Sequence, residues 1–290
     1  MSAALIASRL IAKMNRVRTG RLAEIANLLK APLLGSEGLE AEPFHPAHEA
    51  HREVQNRLAD IGSCFTDMKE MAPFSELVLA AQEEYTPSGP PMSPLTGSYF
   101  HSWVLFDACV PKTSITLASI ILELGAHIGM DFELARLARL QAQSRLGFYL
   151  HRGISHQGNK DGLTILEELV TGTTCQALVP AGFPGEKGQV WLVRVFPPPF
   201  PGTVEHLAAI TPYQVIDPPA NAWLAYFNRT LPQPLQASDY ERHMKYGPVW
   251  NYWHDYIFEA YVSNRREVIF LRGLPDVDKS RPHSRVNQRF

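Results

Sequence analysis

Gly162-Leu-Thr-Ile-Leu-Glu-Glu-Leu-Val-Thr-Gly172, then Thr-Thr-Cys-Gln-Ala-Leu-Val179 and, after a Pro/Gly-rich loop, Gly188-Gln-Val-Trp-Leu-Val-Arg-Val-Phe196, is the stretch that decides the fold. β-Branched and aromatic residues come in short runs with Gly, Pro and polar residues between them, the pattern of paired antiparallel strands. Working outward, strands are expected at about 146–152, 163–167, 173–179, 189–196 and 206–215, with Thr171-Gly172 as the strongest hairpin signal. Glu167 and Glu168 are adjacent on one of these strands and point to opposite faces, so they form no carboxylate dyad.

Upstream the periodicity is helical. Leu5, Ile6, Leu10, Ile11, Met14 and Val17 line one stripe of a segment that carries Arg9, Lys13, Arg16 and Arg18. An amphipathic helix docked on the body is expected there rather than a transit peptide. Further helices are expected from Pro46 to Asp60, from about Thr66 to Glu84, and from Thr116 to Leu140 with a break at Gly129-Met-Asp131. Pro87 to Pro94 holds four prolines in eight residues, which rules out a helix or a central strand. Downstream, Asp239 is a candidate cap for a helix that Gly247-Pro248 ends, and Val249 to Asn264 reads as a last helix.

The expected class is therefore α+β. A mostly helical region spans 1–145, a small antiparallel β-sheet or barrel spans 146–217, and a helical C-terminal region with a basic tail spans 218–290. All three are expected to form one compact body. With 290 residues, 45% apolar and 19% charged content and a net charge of -2, the chain is neither disordered nor a polyanion binder over its whole length. No apolar run reaches the roughly 18 to 20 residues that a membrane span needs. Cys64, Cys109 and Cys175 are odd in number and lack CxxC spacing, which predicts reduced thiols in a cytoplasmic protein.

Three side-chain sets bear on chemistry. His45-Pro-Ala-His48-Glu49-Ala-His51 begins a helix, and His48 and His51, three apart, could share a zinc ion with Asp60 as a third ligand. The spacing is not HExxH, so a metal-dependent hydrolase on these histidines would be of another type. Ser98, His101 and Asp107 supply a hydroxyl, a base and an orienting acid in one short segment, without a GxSxG elbow. Arg265 and Arg266, with Arg281, Arg285 and Arg289 in the tail, could neutralise phosphates of a nucleic acid.

The aromatic run near the C-terminus adds a fourth set. Trp250, Trp253 and Tyr256 fall at helical spacing, and Trp and Tyr are favoured where a surface meets a partner. No phosphate-cradling GxxxxGK[ST] or GxGxxG run occurs. The function expected first is thus a cytoplasmic interaction or regulatory subunit that meets a protein partner or a second copy of itself. A metal-dependent hydrolase and a nucleic-acid-associated protein are the alternatives.

Overall fold

The structure is a computed structural model that describes residues 2–17, 20–33, 45–86, 93–155 and 162–275. The tail arginines Arg281, Arg285 and Arg289 lie outside the described residues. The chain groups into two compact units. The first takes 1–84, 97–144 and 196–207, and the second takes 85–96, 145–195 and 208–290. The C-terminal region thus groups with most of the strands.

The first unit is helical. It contains α1 (Ala3–Val17), α2 (Arg21–Lys30), α3 (Pro46–Ser63), most of α4 (Ala72–Tyr85), α5 (Gly97–Phe106), α6 (Leu117–Ile128) and α7 (Phe132–Gln143). On α1 Ile6, Leu10 and Met14 are buried while Leu5 and Val17, expected in the same stripe, face water, so the helix docks by a narrower face than its spacing predicts. Val54, Leu58 and Ile61 of α3, and Ile120, Ile121 and Leu124 of α6, lie in the same unit's core. Each fully buried aliphatic side chain of this kind contributes about 1.5–3 kcal/mol. A Cβ on Gly62 would lie 3.1 Å from Leu117, so the glycine lets α3 and α6 approach closely.

Local signals set the helix ends. Pro46 occupies the first turn of α3, with the His45 imidazole accepting from the Ala47 N–H at 3.2 Å. Thr116 and Asp131 cap α6 and α7 through their side-chain oxygens. The helix expected from Thr66 begins only at Ala72, after a 3₁₀ turn at Lys69–Met71. Pro73 accounts for this, because its ring fits a first turn and breaks an interior one.

The strands are β1 (Leu146–Ser155), β2 (Leu163–Glu168), β3 (Thr174–Leu178), β4 (Val190–Phe196), β5 (Glu205–Ala208), β6 (Tyr213–Asp217), β7 (Tyr261–Asn264) and β8 (Ile269–Arg272), and all but β5, which groups mostly with the first unit, belong wholly or mainly to the second. The order is β1-β2-β3-β5-β4-β6-β8-β7 with an extra β1–β4 pairing, which closes the first five strands into a small barrel. Strand β1 serves two neighbours: Leu146–Leu150 pairs with β4, and Tyr149–Ser155 with β2. The bend between these halves is a bulge at His151/Gly153, where Gly153 has φ +124°, a value that side-chain-bearing residues avoid.

The register identifies the inside of the barrel. Tyr149 pairs with Trp191, and His151 with Leu166, so these four share a face, and on β2 and β3 that face is the buried one. The opposite face of β1 and β4 carries Phe148 and Leu192. Against it pack α8 (Ala220–Thr230), α9 (Ala237–Tyr246) and α10 (Tyr252–Ala260), with the Phe148 ring stacked on Trp223 at 3.9 Å. No helix among the described residues is long and apolar enough to cross a membrane.

Two elements differ from the sequence expectation. The strand expected at 206–215 is two strands, β5 and β6, separated by a turn that contains Pro212, which cannot donate to a ladder. The helix expected to run to Asn264 stops at Ala260, and Tyr261–Asn264 forms β7 against β8. Strands β6 and β8 are parallel, so the sheet is mixed rather than purely antiparallel.

Candidate functional site

The connection between β3 and β4 folds back over one end of the barrel. Phe183 packs on Trp191 with ring centroids 5.5 Å apart, and the His151 ring lies 5.1 Å from the same indole. The His151 Nε2–H donates to the Pro184 carbonyl at 2.9 Å, and its Nδ1 accepts from the Gly153 N–H at 3.1 Å. Burial lowers the His151 pKa and the Pro184 bond opposes this only in part, so the ring stays neutral and its tautomer is fixed. The loop is thereby tied to the barrel's interior.

Gly185 is needed for this closure. Its φ is +62°, and a Cβ there would lie 2.3 Å from Trp191 Cζ2, closer than any real contact. Gly185→Ala is expected to destabilise the second unit by about 1–3 kcal/mol. It should also shift tryptophan emission to the red as Trp191 gains water. An unchanged denaturation midpoint and spectrum would show that the loop does not seal the barrel.

Beyond Trp191 the same sheet face continues outward. The register runs Trp191–Gln214–Phe270–Ser263 across β4, β6, β8 and β7. Between this face and the loop lies a cleft of about 680 Å³. Phe183, Glu186, Gln189, Gln214, Glu267 and Phe270 line it, together with Arg265. The volume is in the range of small-ligand and side-chain pockets. The Gln189 Oε1 accepts from the Trp191 indole N–H at 3.2 Å, which leaves its NH₂ as the donor. The Arg265 guanidinium sits 5.5 Å above the Phe270 ring, and among the described residues Arg265, Glu186 and Glu267 form no ion pair.

β7 forms the rim. All four of its residues are exposed, and among the described residues no strand pairs with its outer edge. The Arg265 N–H bonds the Val268 carbonyl at 2.9 Å, which makes that the hydrogen-bonded pair closing the β7–β8 hairpin. By the alternation of antiparallel ladders, the N–H and C=O of Asn264 then face away from β8. An unpaired edge of this kind is a template for another strand, here over Ser263 and Asn264, beyond a bulge between Tyr261 and Ser263.

The histidines proposed as zinc ligands do not converge. His51 is fully buried, its Nε2–H donating to the Pro197 carbonyl at 2.9 Å and its Nδ1 accepting from Gln141 Nε2 at 2.9 Å. Both ring nitrogens are therefore occupied. His48 lies 3.4 Å from Glu49, half-buried, while Asp60 is exposed and, even from the nearer His51, nine residues further along α3. That spacing amounts to about 13.5 Å along the axis, too far for a shared ion. Among the described residues no three His, Cys, Asp or Glu side chains form a metal-holding group.

Ser98 and His101 lie three residues apart on α5, with Asp107 just past its end. Ser98 is exposed and Asp107 is buried. His101 and Asp107 are six residues apart, about 9 Å along a helix axis. His101 is instead held by the Gln55 backbone, and burial lowers its pKa. Of the aromatic set, Trp253 and Tyr256 lie inside the unit's core at 4% and 3% exposure, while Trp250 is 37% exposed. A buried indole can take no partner, so only Trp250 presents surface.

Among the described residues Arg265 is the sequence candidate that lines the cleft. Arg266 is exposed on the adjacent turn. Of the other lining residues, Glu186, Gln189, Gln214, Glu267 and Phe270 carried no signal of their own in the sequence because they come from three distant segments. Two signals could have found them: the Gly182-Phe-Pro-Gly185 loop between strands, and the short β-branched runs on either side of Arg265-Arg-Glu267. No protein-family model, curated protein or solved structure is similar enough to this chain to match it, so the cleft and its rim strand stand without a family.

Proposed function

We propose that this chain is an interaction subunit that takes an extended segment of a protein partner along the open edge of β7. The observation that carries the reading is the exposed, unpaired outer edge of Tyr261–Asn264 beside a cleft deep enough for a side chain. Main-chain hydrogen bonds along such an edge supply affinity, and flanking pockets supply specificity. The three thiols carry no disulfide, which suits a cytoplasmic setting.

Catalysis and nucleic-acid binding have less support. The candidate ligands and triad members are dispersed or satisfied as described above. Small five-stranded barrels often take oligonucleotides on the outer face of their second and third strands. Here that face carries Ile165, Glu167 and Gln176, with Glu167 paired to Arg152, and no aromatic platform.

Asn264→Pro tests the reading. Proline at 264 removes an outward N–H without breaking the β8 ladder, so the fold should hold while strand addition is blocked. Ten-residue peptides of alternating Thr and Val, capped at both ends, are expected to bind the full chain by fluorescence anisotropy and to lose binding to Asn264→Pro by at least about tenfold. Binding that the substitution leaves untouched would sink the proposal.

A further inference from the structure

We infer that the cleft beside β7 selects a lysine or arginine side chain on the incoming segment. The inference rests on strand addition at β7 and names the residue class that the pocket reads. Its first support is charge: Glu186 and Glu267 line the cleft without ion pairs among the described residues, against the single cation Arg265. Arg265 is already placed over the Phe270 ring, which leaves the carboxylates as the unanswered charges.

Shape and polarity agree with this. Phe183 and Phe270 are both half-buried in the lining, so each offers part of its ring to the aliphatic stem of a long basic side chain. The cationic head then reaches the rim carboxylates. A carboxylate-bearing residue would meet the same two acids and be repelled. The Gln189 NH₂ and the whole Gln214 carboxamide supply donors and an acceptor that match a peptide unit of the segment. Register fixes the geometry, because Phe270 on the cleft floor is paired with Ser263 of β7, so a segment lying along the rim passes within side-chain reach of the pocket.

The test uses the full chain and capped Thr/Val decapeptides that carry Lys, Arg, Gln or Glu at one central position. Lys and Arg peptides are expected to bind about tenfold more tightly than the Glu peptide, with Gln between them. The double substitution Glu186→Gln with Glu267→Gln should erase that order. Equal affinity for Lys and Glu peptides, with binding still lost in Asn264→Pro, would overturn the cation pocket and keep strand addition. Binding of every peptide that Asn264→Pro does not reduce would overturn both. Dimerisation of the chain that Asn264→Pro abolishes, with no peptide bound, would make a second copy the occupant and overturn the inference.

Discussion

Glu168→Leu is expected to destabilise the second unit by about 3–5 kcal/mol, because it leaves a buried guanidinium without its partner. Arg145 and Glu168 meet through two hydrogen bonds, with side chains only 13% and 5% exposed. The Thr171 hydroxyl donates to the same carboxylate at 2.6 Å, and the Arg145 guanidinium lies 5.1 Å from the Tyr240 ring. Burial alone would lower the Arg145 pKa, but the Glu168 bonds outweigh it and hold the pKa above the ordinary arginine value. The neighbouring Cys175 thiol is pushed up to about 12 by burial and by Glu168, so it is inert as a nucleophile.

The double substitution Arg145→Met with Glu168→Leu separates the cost of an orphaned charge from the worth of the pair. It is expected to recover at least half of the loss, since apolar groups of similar volume replace both partners. Glu241, 3.7 Å from Arg145 but 56% exposed, cushions the single substitution and places it toward the lower end of the range. Gly147 belongs to the same arrangement, because a Cβ there would lie 2.6 Å from Glu168 Oε1. Urea midpoints of the two variants at neutral pH decide the matter: a Glu168→Leu loss under about 1 kcal/mol would show that the pair is not the fastening it looks to be.

How far the sequence reaches can be judged from these residues. The runs at 163–168, 174–178 and 190–196 were legible because alternation and flanking glycines are local, whereas Asp239, expected as a cap, lies in the first turn of a helix that Gln236 precedes. A sheet or a barrel was expected and a barrel is found, but the pairing that closes it, β1 with both β2 and β4, is one that no periodicity records. The C-terminal aromatic run was misjudged at Tyr261: its helical spacing continues past Ala260, yet pairing with β8 overrides local preference there. His48, His51 and Asp60 show the same limit for sites. Their types suggested a metal, but His51 spends both nitrogens on Pro197 and Gln141, partners that lie far away in sequence. In the cleft, Arg265 was visible as a cation, while Phe270 carried no local signal that set it apart.

Those buried histidines lead to the second large effect, a steep loss of stability in mild acid. The pKa of His51 is lowered to about 4, chiefly by burial, with the Pro197 bond opposing. Burial lowers His243 to about 4 and His254 to about 3. Unfolded chains take up these protons as pH falls below 6.5, while the folded state does not until about 4 or below, so the unfolded state binds more protons in between. Stability is therefore full above pH 6.5 and declines continuously between 6.5 and 4. Each histidine contributes on the order of 3 kcal/mol to the decline, against a typical total of about 5–15 kcal/mol.

Both units should respond, because burial lowers His48, His51, His101 and His206 in the first and His151, His243 and His254 in the second. His243→Phe is the informative variant. Its ring sits among Phe227, Tyr252 and Trp253, and its Nε2 has no hydrogen-bond partner among the described residues, so a phenyl ring fits the site with little loss at pH 7. The variant should flatten the fall in the second unit's urea midpoint between pH 6.5 and 4.5 by about a third to a half, where His254 accounts for most of the remainder. Tryptophan fluorescence reports on that unit, through Trp191, Trp223 and Trp253. A midpoint that is flat over this interval in the parent chain, or one whose slope His243→Phe leaves unchanged, would show that the buried imidazoles take up protons without unfolding the structure around them.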